Sequence, residues 1–193
     1  MIRRLVRCVK LSDGKTPVAV LGKAIRQVNR ELYQEAAKNE EFSGMGTTLV
    51  AAATEGATLY VSNIGDSRLY LIRAGKAYQV TRDHSYVEEM VAAGRMERGS
   101  REYLSQKNII TRAAGMTERV EADFFEVDLE EGDHILLCSD GLTNMVDDGT
   151  IARIASGGEC VRARAEKLVN QANENGGRDN ITVILADYEK EVG

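Results

Sequence analysis

Short runs of apolar residues, bounded by glycine, asparagine and aspartate, recur along the first half of this chain. Such runs, and stretches in which apolar and polar residues alternate, are typical of β-strands. They predict four strands: Leu49–Ala53, Thr58–Asn63, Arg68–Arg73 and Ala77–Thr81. Turn residues at Glu55-Gly56 and Ala74-Gly75-Lys76 join neighbouring runs. The break at Gly65-Asp66-Ser67 is predicted to be a β-bulge. We therefore expect an antiparallel meander.

Apolar residues spaced three and four apart predict helices around these strands. The predicted helices are residues 17–38, 83–94, 147–154 and 159–173, and the further predicted strands are residues 108–112, 120–129, 134–138 and 181–185. Residues 95–107 are polar, have little period and are predicted to be a long surface excursion. Helices and antiparallel strands in separate runs indicate the α+β class rather than a parallel sheet.

Two aspartates lie at the ends of apolar runs. Asp140 comes two residues after the run at 134–138, and Asp179 comes two residues ahead of the run at 181–185. A carboxylate at a strand end is held firmly and can face a cleft. Oxygen ligands of this kind suit Mg²⁺ or Mn²⁺. Each aspartate is also an ordinary turn residue beside glycine or asparagine, and taken singly that structural interpretation is favoured. Asp66, inside a Gly-Asp-Ser break, is a weaker third candidate.

Composition and charge narrow the function classes. The chain has 193 residues, enough for one domain with a sizeable core, and its net charge of −5 favours neither nucleic acid nor an anionic membrane as a partner. No apolar run approaches the roughly 18 residues of a membrane span. The three cysteines form no Cys-x-x-Cys pair, as expected for reduced thiols in the cytoplasm. None has an arginine six residues later, which excludes the cysteine-based phosphatases.

Five short motifs share a characteristic order along the chain. They are Gly44-Met45-Gly46-Thr47-Thr48, Asn63-Ile64-Gly65-Asp66-Ser67-Arg68, Asp83-His84-Ser85, Cys138-Ser139-Asp140-Gly141-Leu142 and Gly177-Arg178-Asp179-Asn180-Ile181-Thr182. Together they resemble the metal-dependent protein phosphatases, the PPM or type-2C family, in its bacterial branch. The resemblance extends from about residue 17 to the C-terminus. It implies an α+β fold, a four-layer α-β-β-α sandwich of two antiparallel sheets flanked by helices. It also implies a single phosphatase-like domain over residues 1–193, with a flap at residues 95–107.

The resemblance also implies an activity and a site. The reaction is hydrolysis of phosphoserine and phosphothreonine on proteins by a metal-activated water, with Mn²⁺ or Mg²⁺ as cofactor. The family has two ions that bridge this water; Asp140 and Asp179 would hold one of them, and Asp66 would hold a third, more weakly bound ion beside Asp140. No catalytic side chain is assigned, and His84, at a helix start, is interpreted as structural. The implied partners are phosphorylated proteins, with a serine/threonine kinase and its substrates.

Two motifs of that family do not occur in residues 1–193. The first, Arg-x-x-Asn-Glu-Asp, supplies a phosphate-binding arginine and an acidic metal ligand. The second, Asp-Gly-Met-Gly-Gly-His, supplies a bridging aspartate and a histidine that protonates the leaving group. The only early Asp-Gly pair is Asp13-Gly14, which Lys15 follows. We therefore expect an N-terminally truncated fold, with residues 1–16 divergent or replaced, and weak catalysis by this chain alone.

Four interpretations stay open. The chain is a truncated phosphatase, or a phosphatase-like module that binds metal or phosphoprotein with little catalysis. In a third interpretation a partner chain completes the site; separately, a second copy of the chain could form a homodimer that covers exposed sheet edges. A calcium-binding or purely structural α+β domain is the fourth, although the Asp140 loop lacks the alternate oxygen ligands of an EF-hand.

Overall fold

The computed structural model of this chain describes residues 16–190. Their strands are β1 Leu49–Glu55, β2 Thr58–Ile64, β3 Arg68–Arg73, β4 Lys76–Gln79, β5 Asp123–Asp128, β6 His134–Cys138 and β7 Val183–Asp187. Their α-helices are α1 Pro17–Lys38, α2 Tyr86–Ala92, α3 Arg101–Gln106, α4 Asp140–Thr143, α5 Asp148–Ala155 and α6 Val161–Glu174, with a 3₁₀ turn at Glu40–Phe42. Within these residues, no helix is long and apolar enough to cross a lipid bilayer.

The strands form two sheets. One has three strands in the order β1-β2-β5, and the other has four in the order β4-β3-β6-β7. In the second sheet β3 pairs antiparallel with β4 and with β6, and β6 pairs antiparallel with β7. The predicted class, α+β with antiparallel sheets and flanking helices, is confirmed.

The predicted bulge at Gly65-Asp66-Ser67 is wrong. Strands β2 and β3 belong to different sheets, so the chain leaves one sheet and enters the other at these three residues. Gly65 has a φ of +99°, outside the extended region of a strand. The alternating pattern on both sides of the break does not reveal this change, because a strand has the same alternation of apolar and polar residues whichever sheet it joins.

The excursion at residues 95–107 contains helix α3, which the sequence did not predict. Ser100 caps this helix, and its Oγ accepts a hydrogen bond from the backbone N–H of Tyr103. The Tyr103 hydroxyl donates at 2.7 Å to Glu88 of α2, which is buried. With six residues, α3 is too short to show a helical period. The strand predicted at residues 108–112 is also wrong, since only an isolated bridge joins Ile110 to Ser85.

The chain forms two compact units. Among the described residues, the first comprises residues 16–51, Ser62–Asp66 and Asp83–Phe124, and the second comprises Ala52–Val61, Ser67–Arg82 and residues 125–190. The single domain over residues 1–193 stays a prediction. The divergent segment predicted at residues 1–16 lies, except for residue 16, outside the described residues.

The second unit has its core around strand β6. Leu136 of β6 lies opposite Tyr70 of β3 on one side and Leu185 of β7 on the other, and all three are buried. Buried residues of the three following helices join the same core: Leu142, Ile151, Ile154, Leu168 and Ala172. Full burial of one such aliphatic side chain contributes roughly 1.5–3 kcal/mol. Strand β6 is therefore a firm support for the residues that follow it.

Helix α1 belongs to the first unit and follows its predicted boundaries. Thr16 precedes Pro17 at the first helical position, and the apolar side buries Ala24, Ile25 and Val28. The same side buries Asn29, which accepts a hydrogen bond from the Gly115 N–H and donates to two carbonyl groups at residues 117 and 118. These bonds satisfy a buried amide that would otherwise be costly.

An ion pair between the buried Asp133 and the half-buried Arg73 fixes the turn that leads into β6. Asp133, at 1% exposure, accepts hydrogen bonds from Arg73 Nε at 2.8 Å and Arg73 Nη2 at 2.7 Å. Its Oδ2 also accepts from the Glu130 N–H at 2.8 Å. Burial by itself raises the pKa of Asp133, but the hydrogen bonds from Arg73 and the Glu130 N–H outweigh it, so the pKa lies below its usual value.

The Asp133 ion pair makes stability dependent on pH. Because the folded pKa is lowered, its contribution is present above the unfolded pKa of about 3.9 and is lost as the pH falls below it. We expect Asp133→Asn to lower the free energy of unfolding at pH 7 by about 2 kcal/mol. We also expect the variant to lose less stability than the native chain between about pH 5 and pH 3.

Urea denaturation followed by circular dichroism measures both effects. The matched control is Glu130→Gln, whose side chain is 68% exposed in its pair with Arg73 and should change stability by less than about 0.5 kcal/mol. Equal losses in the two variants would contradict the role given to Asp133.

Candidate metal centre

Strand β6 places Asp140 at the start of helix α4. The strand ends at Cys138, Ser139 precedes the helix, and Asp140 is its first residue. The Asp140 carboxylate is half-buried, and its Oδ2 accepts a hydrogen bond from Asn144 Nδ2 at 3.1 Å. The amide therefore orients a carboxylate that stands on a rigid strand end.

The loop between α6 and β7 places Asp179. Gly176 and Gly177 have φ angles of +126° and +49°, which turn the chain after the helix. Asp179 is exposed, and its Oδ1 accepts a hydrogen bond from the Asn180 N–H at 2.6 Å. This aspartate thus remains accessible to solvent.

The two loops are hydrogen-bonded to each other. The Ser139 N–H donates to the Thr182 carbonyl at 3.1 Å, and the Thr182 N–H donates to Ser139 Oγ at 3.0 Å. Ser139 Oγ also donates to the Asn180 carbonyl at 2.9 Å. A Cβ on Gly141 would lie 2.4 Å from that same carbonyl oxygen, so only glycine fits there. The residues that follow Asp140 and Asp179 are therefore in direct contact.

Asp66 lies in the other compact unit. It is half-buried and follows Gly65, whose left-handed backbone conformation leaves no room for a side chain against Thr48. Its assignment to a third metal ion beside Asp140 stays a prediction, as do the ligand roles of Asp140 and Asp179.

The donor set fits a hydrated hard cation. Across residues 16–190, no three side chains of the histidine, cysteine, aspartate and glutamate types converge into a metal-binding group. Mg²⁺ is commonly held by only one or two carboxylates and keeps several waters. The adjoining loops of Asp140 and Asp179 offer carboxylate oxygens of that kind, so these two residues would hold the ion.

A network around the buried His84 was not predicted from the sequence. The His84 ring lies 3.1 Å from Asp123 Oδ2, and Arg112 Nη1 lies 3.1 Å from Asp123 Oδ1. Burial tends to raise the pKa of Asp123, but the bonds from His84 and Arg112 lower it overall. Asp123 opens a strand of ordinary alternating pattern, so no local signal marks it. His84 is buried, and its structural role stays a prediction.

A family comparison shows what kind of protein carries these loops. The family model for protein phosphatase 2C matches residues 2–186. The chain belongs to the protein phosphatase 2C family. The resemblance predicted from the five motifs is therefore confirmed, and with it the enzyme class by homology, that of the metal-dependent serine/threonine protein phosphatases.

Individual relatives agree with this assignment. The serine/threonine phosphatase stp of Listeria innocua is 40% identical over 167 residues, which cover 86% of this chain and 66% of the relative. The protein phosphatase PhpP of Streptococcus pneumoniae is 40% identical over 166 residues, which cover 86% of this chain and 67% of the relative. The chain thus spans about two thirds of the length of these curated relatives.

Solved structures of the family share the fold. The serine/threonine phosphatase Stp1 from Staphylococcus aureus has a TM-score of 0.87 at 32% identity, covering 97% of this chain and 76% of that one. The catalytic domain of the phosphatase PstP was solved in complex with two manganese ions. It has a TM-score of 0.84 at 34% identity, and the match covers 96% of this chain and 77% of that one.

The close contact at Gly141 gives a testable requirement. In Gly141→Ala the new methyl group collides with the Asn180 carbonyl, so the two loops must separate. We expect a loss of about 2 kcal/mol in the free energy of unfolding, the usual cost of overpacking.

Thermal and urea denaturation measure that loss. The matched control is Gly158→Ala, where an added Cβ has nothing within 4 Å, and its stability should change by at most about 1 kcal/mol. If Gly141→Ala proves as stable as the control, the contact between the loops is not tight.

Proposed function

We propose that this chain binds Mn²⁺ or Mg²⁺ through Asp140 and Asp179 and acts on phosphoserine and phosphothreonine in proteins. The observation that carries the proposal is the direct contact between the two aspartate-bearing loops, in a chain that belongs to the protein phosphatase 2C family. The manganese ions of the related PstP structure support the choice of cofactor.

The side chains of this site have separate tasks. Asp140 and Asp179 bind the cation, Asn144 orients the Asp140 carboxylate, and Ser139 holds the two loops at a fixed separation. The bound ion supplies charge neutralisation and an acidified water as nucleophile. Because Asp179 is exposed, a phosphate group on a protein surface has access to this loop.

Catalysis by this chain alone is proposed to be weak. No Asp-Gly pair in residues 1–193 is followed by Gly-Gly-His, so the sequence lacks a bridging carboxylate and a proton donor of that motif. General acid catalysis contributes typically 10²–10⁴-fold to a rate. The same observation favours a second candidate function, a module that binds a metal ion or a phosphoprotein with little turnover.

The predicted cellular location and binding partners are also part of the proposal. Scarce cysteines without paired spacing support a cytoplasmic location, and Cys138 and Cys160 are free thiols. Phosphorylated proteins, a serine/threonine kinase with its substrates, and a homodimer that covers sheet edges are the proposed partners.

Hydrolysis of p-nitrophenyl phosphate, with and without Mn²⁺, tests the proposed reaction. We expect Mn²⁺-dependent turnover below about 1 s⁻¹, the lower end of typical enzyme rates. We expect Asp140→Asn and Asp179→Asn to abolish it, because each removes a charged ligand. The matched control, Asp128→Asn, removes an exposed aspartate at the end of β5 and should keep the native rate.

The outcomes separate the two functions. Turnover that survives in both variants contradicts the site, and turnover well above 1 s⁻¹ from the purified monomer contradicts weak catalysis. If turnover is absent, calorimetric titration with Mn²⁺ and with a phosphoserine peptide decides the matter. Binding that both variants lose supports the binding module, and no binding contradicts both functions.

A further inference from the structure

His84 is buried and uses both ring nitrogens. It is 4% exposed, Nδ1 accepts a hydrogen bond from the Gly65 N–H at 3.1 Å, and Nε2 lies 3.1 Å from Asp123 Oδ2. A nitrogen that accepts a hydrogen bond carries no proton. The network therefore assigns the proton to Nε2, which donates it to the Asp123 carboxylate.

The backbone adds a second bond between the same two residues. The His84 N–H donates to the Gly65 carbonyl at 3.0 Å, so both polar groups of the Gly65 backbone bind residue 84. His84 itself is held by the Thr111 N–H, which donates to its carbonyl at 2.8 Å. On its other side Gly65 faces Thr48 so closely that a Cβ on residue 65 would lie 2.4 Å from the Thr48 methyl group, so a side chain does not fit there. Gly65 is thus hydrogen-bonded to residue 84 through both of its backbone polar groups and has no space for a side chain.

We propose that His84 is a positioning residue that fixes the turn at Gly65 and so sets the direction of the Asp66 carboxylate for binding a divalent cation. The inference rests on the proposed function for the role of Asp66. His84 does not touch the cation in this proposal. It acts through one hydrogen bond, from the Gly65 N–H to Nδ1, and Asp123 keeps the ring in the tautomer that accepts this bond.

A buried histidine that only fills the core would behave differently. In that case any replacement of similar size and polarity would have the same effect, whichever ring nitrogen it imitated. A positioning role depends on the acceptor at the place of Nδ1. Two amide side chains distinguish these atoms, because asparagine carries its oxygen where histidine has Nδ1, whereas glutamine places its amide where histidine has Nε2.

The matched variants are His84→Asn and His84→Gln. His84→Asn keeps an acceptor for the Gly65 N–H and gives up the bond to Asp123, and His84→Gln does the reverse. We expect His84→Gln to weaken Mn²⁺ binding at the Asp66-dependent site by about tenfold or more, the usual effect of losing a partner behind a ligand. We expect His84→Asn to weaken it by less than about threefold.

Isothermal titration with Mn²⁺ measures the affinity, and amide hydrogen exchange of Gly65 measures the turn directly in the metal-free protein. Gly65 should exchange faster in His84→Gln than in His84→Asn. Equal affinities and equal exchange rates in the two variants overturn the proposal.

Asp66→Asn combined with His84→Gln should bind Mn²⁺ no more weakly than Asp66→Asn alone, and a further loss of affinity shows that His84 acts elsewhere.

Failure of the proposed function is distinguishable from failure of this inference. If Asp66→Asn leaves Mn²⁺ binding unchanged, Asp66 is not a ligand, and the exchange of the Gly65 amide still decides whether His84 holds the turn. If neither histidine variant folds, nitrogen NMR of the native chain decides the tautomer. An unprotonated Nδ1 is expected, and a protonated Nδ1 overturns the proposal.

Discussion

The hydrogen bonds of Ser139 are the constraint on which the candidate metal centre depends. Strands β6 and β7 pair up to Cys138 and Val183, and Ser139 continues their contact beyond the strands by bonding to the backbone of residues 180 and 182. Gly141 then lets the two loops meet without a side chain between them. The candidate ligands Asp140 and Asp179 therefore stand on loops whose separation is determined by the Ser139 hydrogen bonds and the contact at Gly141.

The turn that carries Asp66 is held by contacts of a similar kind. A glycine without room for a Cβ lies ahead of the aspartate, and a neighbouring polar side chain, here His84, bonds to its backbone. In both places a fixed backbone limits the directions that the next carboxylate can adopt. A carboxylate on such a backbone would need little rearrangement to bind an ion, which is what a geometrically strict cation such as Mg²⁺ requires.

Membership of the protein phosphatase 2C family favours catalysis of phosphate hydrolysis by this chain, whereas the missing motifs disfavour it. The fold and the loops that bear Asp140 and Asp179 are those expected of a phosphatase, yet the chain spans about two thirds of its curated relatives and lacks the Asp-Gly-Met-Gly-Gly-His motif. A cation held by two carboxylates can bind a phosphate group. Efficient hydrolysis also needs a water aligned for attack and a proton donor for the leaving group, and this difference separates binding from efficient hydrolysis.

The sequence by itself determined the elements whose signals are local. The period of α1, the Asp147 cap of α5, and the aspartates beside apolar strands are all encoded within a few neighbouring residues, and the order of five motifs indicated the family. The tertiary structure decided which strands share a sheet. Residues 65–67 connect two sheets and are not the bulge within one sheet that the sequence predicted. It also brought His84 to Gly65 and Asp123. Such pairings depend on contacts between distant parts of the chain, which leave no periodic trace in the residues that make them.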